Sequence, residues 1–428
     1  MIHQDLLRHQ QTTGRPIRLG VSGAGWMGSG FVTAVAHAPG MVVNVLADAD
    51  TQAAWQTLLN TGVPREQIVE TDSPGQAMDA LRGGRRVVTG SYALAAQLDD
   101  VDIVADATPS PAIGAETAHA CIQHGKDVVM VNIEADVTVG RILSKLAREA
   151  NILYTVSSGD EPGCLMELVD FVKCLGYEVI VIGKGKNNPL DATATPDTVA
   201  ESARRADKDP FQVASYVDGT KTMFEMTCAA NATGYLPMQR GMVGPEATLE
   251  TVSHIFALEE DGGITKFPGA VDFVQGTSMT GGVFVTVRIQ DERIRNDLQY
   301  LKVGKGQYYT FFRPYHLWFL EAPISVARAY LYRQPTLVPL ERPVADVMTI
   351  AKRDLKPGER LDEFGGYTFY GRNDRAEVAR SLRALPVGLA PGAIMTGAVA
   401  AGNVVRWDDV KLDESQIVVQ LRRRQDAL

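Results

Sequence analysis

Residues 17–28, Ile17-Arg18-Leu19-Gly20-Val21-Ser22-Gly23-Ala24-Gly25-Trp26-Met27-Gly28, decide the fold. The first six form an aliphatic, β-branched run, the next six a glycine turn, and a helical stretch follows through His37. In such a strand–turn–helix unit Gly23 permits the tight turn, Gly25 lets a pyrophosphate approach the backbone, and Gly28 allows close helix packing. The helix N-terminus then faces the negative charge. A second apolar run, 41–47, ends at Asp48, whose carboxylate would accept ribose hydroxyls and repel a 2′-phosphate; a strand end shifted by two would give Asp50 that place. The stretch predicts a dinucleotide site lined by Gly23, Gly25, Trp26, Met27, Gly28 and Asp48, with NAD favoured over NADP.

Further apolar runs at 101–105 and 127–131, separated by helical segments, predict a doubly wound α/β sheet of the Rossmann type. Thr108 and Asn132 stand just past those runs, at the carboxyl edge of the sheet, and join the expected cofactor contacts. Asn132 and Glu134 are also candidates to orient a substrate, whereas Asp136 reads as the N-cap of the next helix.

At 428 residues the chain exceeds the roughly 250 to 300 at which one core stops growing, so two or three domains are expected. A net charge of −9 leaves no basic face to neutralise phosphates, which argues against a nucleic-acid partner. Apolar runs such as 128–131 and 179–182 fall far short of the roughly 18 to 20 residues that span a bilayer, so no membrane association is expected. The polar residues 1–16 lack the apolar stretch of a signal peptide. Cys121, Cys164, Cys174 and Cys228 show no CxxC spacing, which suits a reducing, cytoplasmic location.

The pattern changes after Asn151. Strands at 152–156, 178–182, 221–227, 282–289 and 308–312, with helices at 164–175 and 195–207, predict a second α/β (α+β) unit. From 343 onward short β-like pieces alternate with Pro/Gly turns. The expected division is a Rossmann domain at 1–150, a substrate and dimerisation domain at 151–340, and a small β-rich domain at 341–428 in which Arg422-Arg423-Arg424 is a solvated tail.

Three clusters after Asn151 carry candidate chemistry. Asp160 and Glu161, adjacent in Gly159-Asp160-Glu161-Pro162-Gly163, could ligate a divalent ion such as Mg or Mn, hold a substrate hydroxyl, or serve a helix start. Gly183-Lys184-Gly185-Lys186-Asn187-Asn188 places two cations and two amides in a glycine-flanked loop after a strand, where Lys184, Lys186 and Asn187 could stabilise a developing oxyanion; the lysines need not share a side. Lys302, Lys305, Arg313 and His316 could form a second anion-binding corner, or His316 could be a packed residue beside Tyr315 and Trp318.

The stretches 131–137, 159–162, 183–189, Asp218-Gly219-Thr220-Lys221-Thr222-Met223, Asn231-Ala232-Thr233-Gly234 and Arg313-Pro314-Tyr315-His316 resemble the 1-deoxy-D-xylulose 5-phosphate reductoisomerase-like (DRL) family. The Rossmann half is similar to that of homoserine dehydrogenases, and residues from 343 resemble the small SAF domain that closes such chains. The resemblance implies a homodimeric enzyme that couples hydride transfer to a carbon-skeleton rearrangement, with a divalent ion. Asp48 departs from the polar and basic residues of the NADPH-using biosynthetic enzymes, which favours NAD and oxidation of a catabolic substrate. The leading expectation is an NAD-dependent oxidoisomerase or reductoisomerase acting on a small polyhydroxy acid or sugar phosphate. Its alternatives are a deoxyxylulose-phosphate reductoisomerase proper, a simple dehydrogenase of the homoserine type, and a non-catalytic NAD-binding sensor.

Overall fold

A computed structural model describes residues 1–428. By chain contacts it divides into two units: Met1–Gly163 with Leu317–Glu341 and Glu414–Leu428, and Cys164–His316 with Arg342–Asp413.

The first unit opens with α1 (Ile2–Thr13), β1 (Ile17–Ser22), α2 (Trp26–His37), β2 (Met41–Ala47) and α3 (Thr51–Asn60). It continues through β3 (Ile68–Glu70), α4 (Pro74–Arg82), β4 (Arg86–Thr89), β5 (Ile103–Asp106), α5 (Pro111–His124), β6 (Asp127–Met130), α6 (Ile133–Glu149) and β7 (Tyr154–Val156). Its strands form one parallel sheet in the order β3-β4-β2-β1-β5-β6-β7. The order reverses at β1 and β5, the switch point at which doubly wound folds bind ligands. Ile17, Leu19 and Val21 of β1 have no exposed surface, each contributing on the order of 1.5–3 kcal/mol of burial, so the glycine turn rises from a rigid central strand.

The second unit contains most of α7 (Glu161–Cys174), then β8 (Glu178–Gly185), α8 (Pro196–Ala206), α9 (Pro210–Val217), α10 (Thr220–Thr233), β9 (Leu236–Pro237), α11 (Val252–Ile255), β10 (Ala270–Val274), β11 (Val283–Arg288), α12 (Glu292–Tyr300) and β12 (Tyr308–Arg313). Its mixed sheet runs β12-β11-β8-β10-β9, with β8 at the centre. After α13 (Ala322–Tyr332), which belongs to the first unit, β13 (Ala345–Ala351) and β14 (Phe369–Arg375) pair antiparallel; α14 (Ala376–Ser381), β15 (Ile394–Met395) and β16 (Val410–Lys411) follow. The chain ends with α15 (Ile417–Asp426).

The α/β architecture is as expected, with a small antiparallel region near the C-terminus, but the chain is divided differently. Residues 342–413 share a unit with 164–316 because β13 and β14 lie on α10: Asn231 Oδ1 accepts the N–H groups of Val344 and Ala345, and Thr220 Oγ1 accepts that of Gly371. Residues 221–227 are helix, not strand; Thr222, Met223, Phe224, Glu225, Met226 and Thr227 are all buried, so the helical period left no polar face to read. The Arg422-Arg423-Arg424 run is only partly solvated: Arg423 and Arg424 are exposed, Arg422 is not. It lies in α15, where Arg422 and Gln425 are buried and Arg422 Nη1 donates to the Thr138 carbonyl at 3.2 Å.

Candidate active site

The cofactor turn is built by contacts that exclude side chains. Gly23 has φ +100°, and a Cβ there would stand 3.0 Å from the Ala107 carbonyl; one on Gly28 would stand 2.0 Å from Gly23 O. Gly25 is the opposite case, with nothing within 4 Å of its Cβ direction, and as N-cap of α2 it supplies no side-chain acceptor. An open backbone face beside an uncapped helix start fits a pyrophosphate. Asp48 Oδ2 accepts the Ala24 N–H at 2.6 Å and Oδ1 the Asp50 N–H at 2.8 Å, so the carboxylate is tied to the turn. Asp50 instead caps α3 through Gln52 and Ala53, which removes it as the ribose ligand.

Around the turn, Met27 packs on the core, while Trp26 meets Trp318 edge-on at 4.9 Å and Phe319 at 5.7 Å. Phe319 lies over Gly30, where a Cβ would come within 2.4 Å of its ring. Asn132, not Asp136, is the N-cap of α6: its Oδ1 accepts the Ala135 N–H, and its Nδ2 donates to Thr108 Oγ1 and the Ser110 carbonyl. Asp136 sits one turn further along, accepts the Tyr154 hydroxyl at 2.9 Å, and crowds Gly140. Glu134 is half-buried in the first turn of α6, where an acid suits the helix dipole.

Sequence reasoning missed Asp106, the last residue of β5. It is fully buried, Oδ1 accepts the Thr108 hydroxyl at 2.9 Å, and Oδ2 has no partner. Burial pushes its pKa up to about 7, against the hydrogen bonds from Thr108. An acid ending a fully apolar strand was the available signal. Asp160 and Glu161 are both buried, in a turn fixed by the Trp318 N–H donating to the Gly159 carbonyl and by the Ser158 N–H donating to Ser325 Oγ.

In the second unit Lys184 lies within β8, and the extended backbone continues to Lys186, whose N–H donates to the Val274 carbonyl. Two residues apart on extended chain, the lysines do share a face. The alternating glycines face crowded backbone: a Cβ on Gly183 would stand 2.4 Å from Asp272 O, and one on Gly185 1.8 Å from Met279 O. Both lysines are about 5% exposed. Lys184 is ion-paired with Glu225 of α10, while Lys186 Nζ donates to the Tyr216 carbonyl at 2.6 Å. Burial, then the neighbouring Lys184, brings the Lys186 pKa down to about 8, against the attraction of Glu225 and Asp218. Asn187 is exposed.

The proposed second anion corner is split by the sheet register. Arg313 pairs with Val283, which also pairs with Lys184, so these stand at one end of the sheet; Tyr308, Arg288 and Glu178 mark the other. Lys302 and Lys305 are exposed in the segment leading into Tyr308, roughly 16 Å away along the strand. Arg313 is itself occupied, donating to Glu167 and Cys164 and stacking over Tyr315, and His316 Nδ1 is 2.7 Å from the Gly281 carbonyl. Asp218, read in the sequence only as part of the family resemblance, and Lys352, which lay outside that reading, form a fully buried ion pair at 2.9 Å.

Residues 159–322, which include Asp160, Glu161, Lys184, Lys186 and Glu225, match the family described as Oxidoreductase DRL, catalytic domain. The chain thus carries an oxidoreductase catalytic domain. No curated protein matches it. Among solved structures it is similar to a scyllo-inositol dehydrogenase from Lactobacillus casei with bound NAD(H) and scyllo-inositol, at 12% identity and TM-score 0.42 over 76% of this chain and 92% of that one. It is also similar to a 3-ketoreductase from Actinomadura kijaniata in complex with NADP, at 16% identity and TM-score 0.38 over 75% of this chain and 91% of that one. No helix is long and apolar enough to cross a membrane.

Proposed function

We propose that this oxidoreductase prefers NAD and oxidises a hydroxyl of a small polyhydroxy acid or sugar phosphate, coupling hydride transfer to rearrangement of the carbon skeleton. The Asp48 carboxylate, held to the Ala24 amide, supports NAD by repelling a 2′-phosphate while keeping lone pairs for ribose hydroxyls. When bound, the dinucleotide accepts the hydride.

The observation that carries the chemistry is Lys186. Oxidation of an alcohol releases a proton as the hydride leaves, and a base with pKa near the operating pH takes it best. The Tyr216 carbonyl fixes the Lys186 Nζ, and its pKa of about 8 makes the neutral amine accessible. In the reverse direction the same ammonium returns the proton. Lys184 is compensated by Glu225 and acts as a positioning residue, setting the field around Lys186. Asp160 and Glu161, two buried hard oxygen donors, fit Mg or Mn, which would polarise adjacent substrate oxygens during a rearrangement. Residues 342–413, which fall within the SAF-like region 341–428, contribute Lys352 to the buried charges, and the family resemblance of the sequence supports a homodimer.

NAD reduction by the purified protein across polyhydroxy acids and sugar phosphates tests this. Turnover with at least one such compound, lowered about 10² to 10⁴-fold in Lys186→Met with NAD affinity kept, is expected. Unchanged turnover in that variant would remove Lys186 from the chemistry.

A further inference from the structure

The charges around Lys186 do not balance. Lys184 is paired with Glu225 and Lys352 with Asp218, yet the buried Lys186 and the half-buried Arg372 have no carboxylate. Arg372, on β14, extends its stem across Gly241 and its guanidinium to Gly219: a Cβ on these glycines would come within 2.9 Å of Arg372 Cδ and 3.3 Å of Nη1. The Nη1 atom is buried with no hydrogen-bond partner, and the guanidinium stands close enough to Lys186 for its charge to weigh on that amine.

Both cations therefore converge on the turn between α9 and α10, Lys186 at the Tyr216 carbonyl and Arg372 at Gly219. That turn also leads into α10, where Asp218 Oδ1 accepts the Thr220 N–H at 2.8 Å. A desolvated donor without a partner costs roughly 1–3 kcal/mol, more for a charged group, and buried cations are ordinarily matched. The arrangement is short of an anion.

We propose that Arg372, with the Gly219 turn at the start of α10, binds a permanently anionic group of the substrate, a carboxylate or a phosphate. The two unmatched cations then divide the work. The planar guanidinium fork of Arg372 suits an oxyanion, whereas Lys186 titrates and suits a proton that comes and goes. The assignment rests on the functional reading above, since it names the anion that the substrate carries, and it gives residues 342–413 a direct part in substrate binding through β14.

Calorimetric titration of the full chain with inorganic phosphate and, separately, with sodium acetate tests the site without turnover. At least one anion is expected to bind the native protein, at least tenfold more weakly to Arg372→Gln, and with intermediate affinity to Arg372→Lys, which keeps the charge but not the planar fork. Preference for phosphate assigns a sugar phosphate; preference for acetate assigns a sugar acid. Lys305→Met, at the other end of the sheet, should bind as the native protein does. NAD affinity of the same variants reports folding, and if Arg372→Gln fails to bind NAD, the several-fold loss in Arg372→Lys decides. Binding of neither anion, or equal affinity in the folded Arg372 variants, would overturn the proposal. Anion binding lost with Arg372 in a protein that reduces no NAD on any compound would sink the oxidoreductase substrate assignment alone.

Discussion

The Asp48 carboxylate accepts the Ala24 amide at 2.6 Å, which locks the acid that follows β2 to the glycine turn that follows β1. A carboxylate so fixed cannot swing aside for a 2′-phosphate. Efficiency, kcat/KM, with NAD should exceed that with NADP at least tenfold, about 1.4 kcal/mol, and Asp48→Asn should shrink the ratio. Steady-state kinetics with both cofactors check this; equal use by the native protein would contradict it.

The Lys184–Glu225 pair is buried on both sides, at 7% and 3% exposure. Removing one partner strands the other charge, so Lys184→Met should cost about 3–5 kcal/mol in urea unfolding. Replacing both, as Lys184→Met with Glu225→Leu, should recover most of that loss. A double variant no more stable than the single one would show that packing, not charge, sets the cost.

Asp106 gives a pH signature. Its folded pKa, raised to about 7, lies above the ordinary carboxylate value, so between about pH 4 and 7 the folded chain holds a proton that the unfolded chain has released. The folded state is therefore favoured at the acid end of that window and loses stability as pH rises through it, by on the order of a few kcal/mol. Asp106→Asn, which keeps shape and removes the titration, should flatten this part of the stability profile. A slope unchanged in the variant would assign the effect to other groups.

How much of this was legible in the sequence follows from how local each feature is. The glycine turn and Asp48 were readable because strand, turn and acid lie within a few tens of residues and each glycine answers a local steric demand. Even there, Asp50 became distinguishable from Asp48 only through its cap on α3. Glu225 was hidden because α10 is buried on all sides, which erases the period that separates helix from strand. Asp218, Lys352 and Arg372 come together only through the packing of β13 and β14 on α10, across more than a hundred residues of chain. The shared face of Lys184 and Lys186 depended on β8 running on to Gly185 rather than ending at Ile182.

The buried pair Asp160 and Glu161 predicts a metal dependence. Dialysis against a chelator should abolish NAD reduction with Mg or Mn restoring it, and Glu161→Gln should lower turnover with little change in melting temperature. Activity untouched by chelation, with a lowered melting temperature in the variant, would make the two acids structural.

The pH profile of turnover tests Lys186 most directly. In the oxidation direction kcat/KM should rise with pH and level off above about 8 as the amine loses its proton, because burial, then Lys184 and Arg372, lower its pKa to that value against Glu225 and Asp218. In Lys186→Met the rate should fall about 10² to 10⁴-fold and that rise should vanish, while Lys302→Met keeps both. A native-like rate and the same break near pH 8 in Lys186→Met would contradict the account.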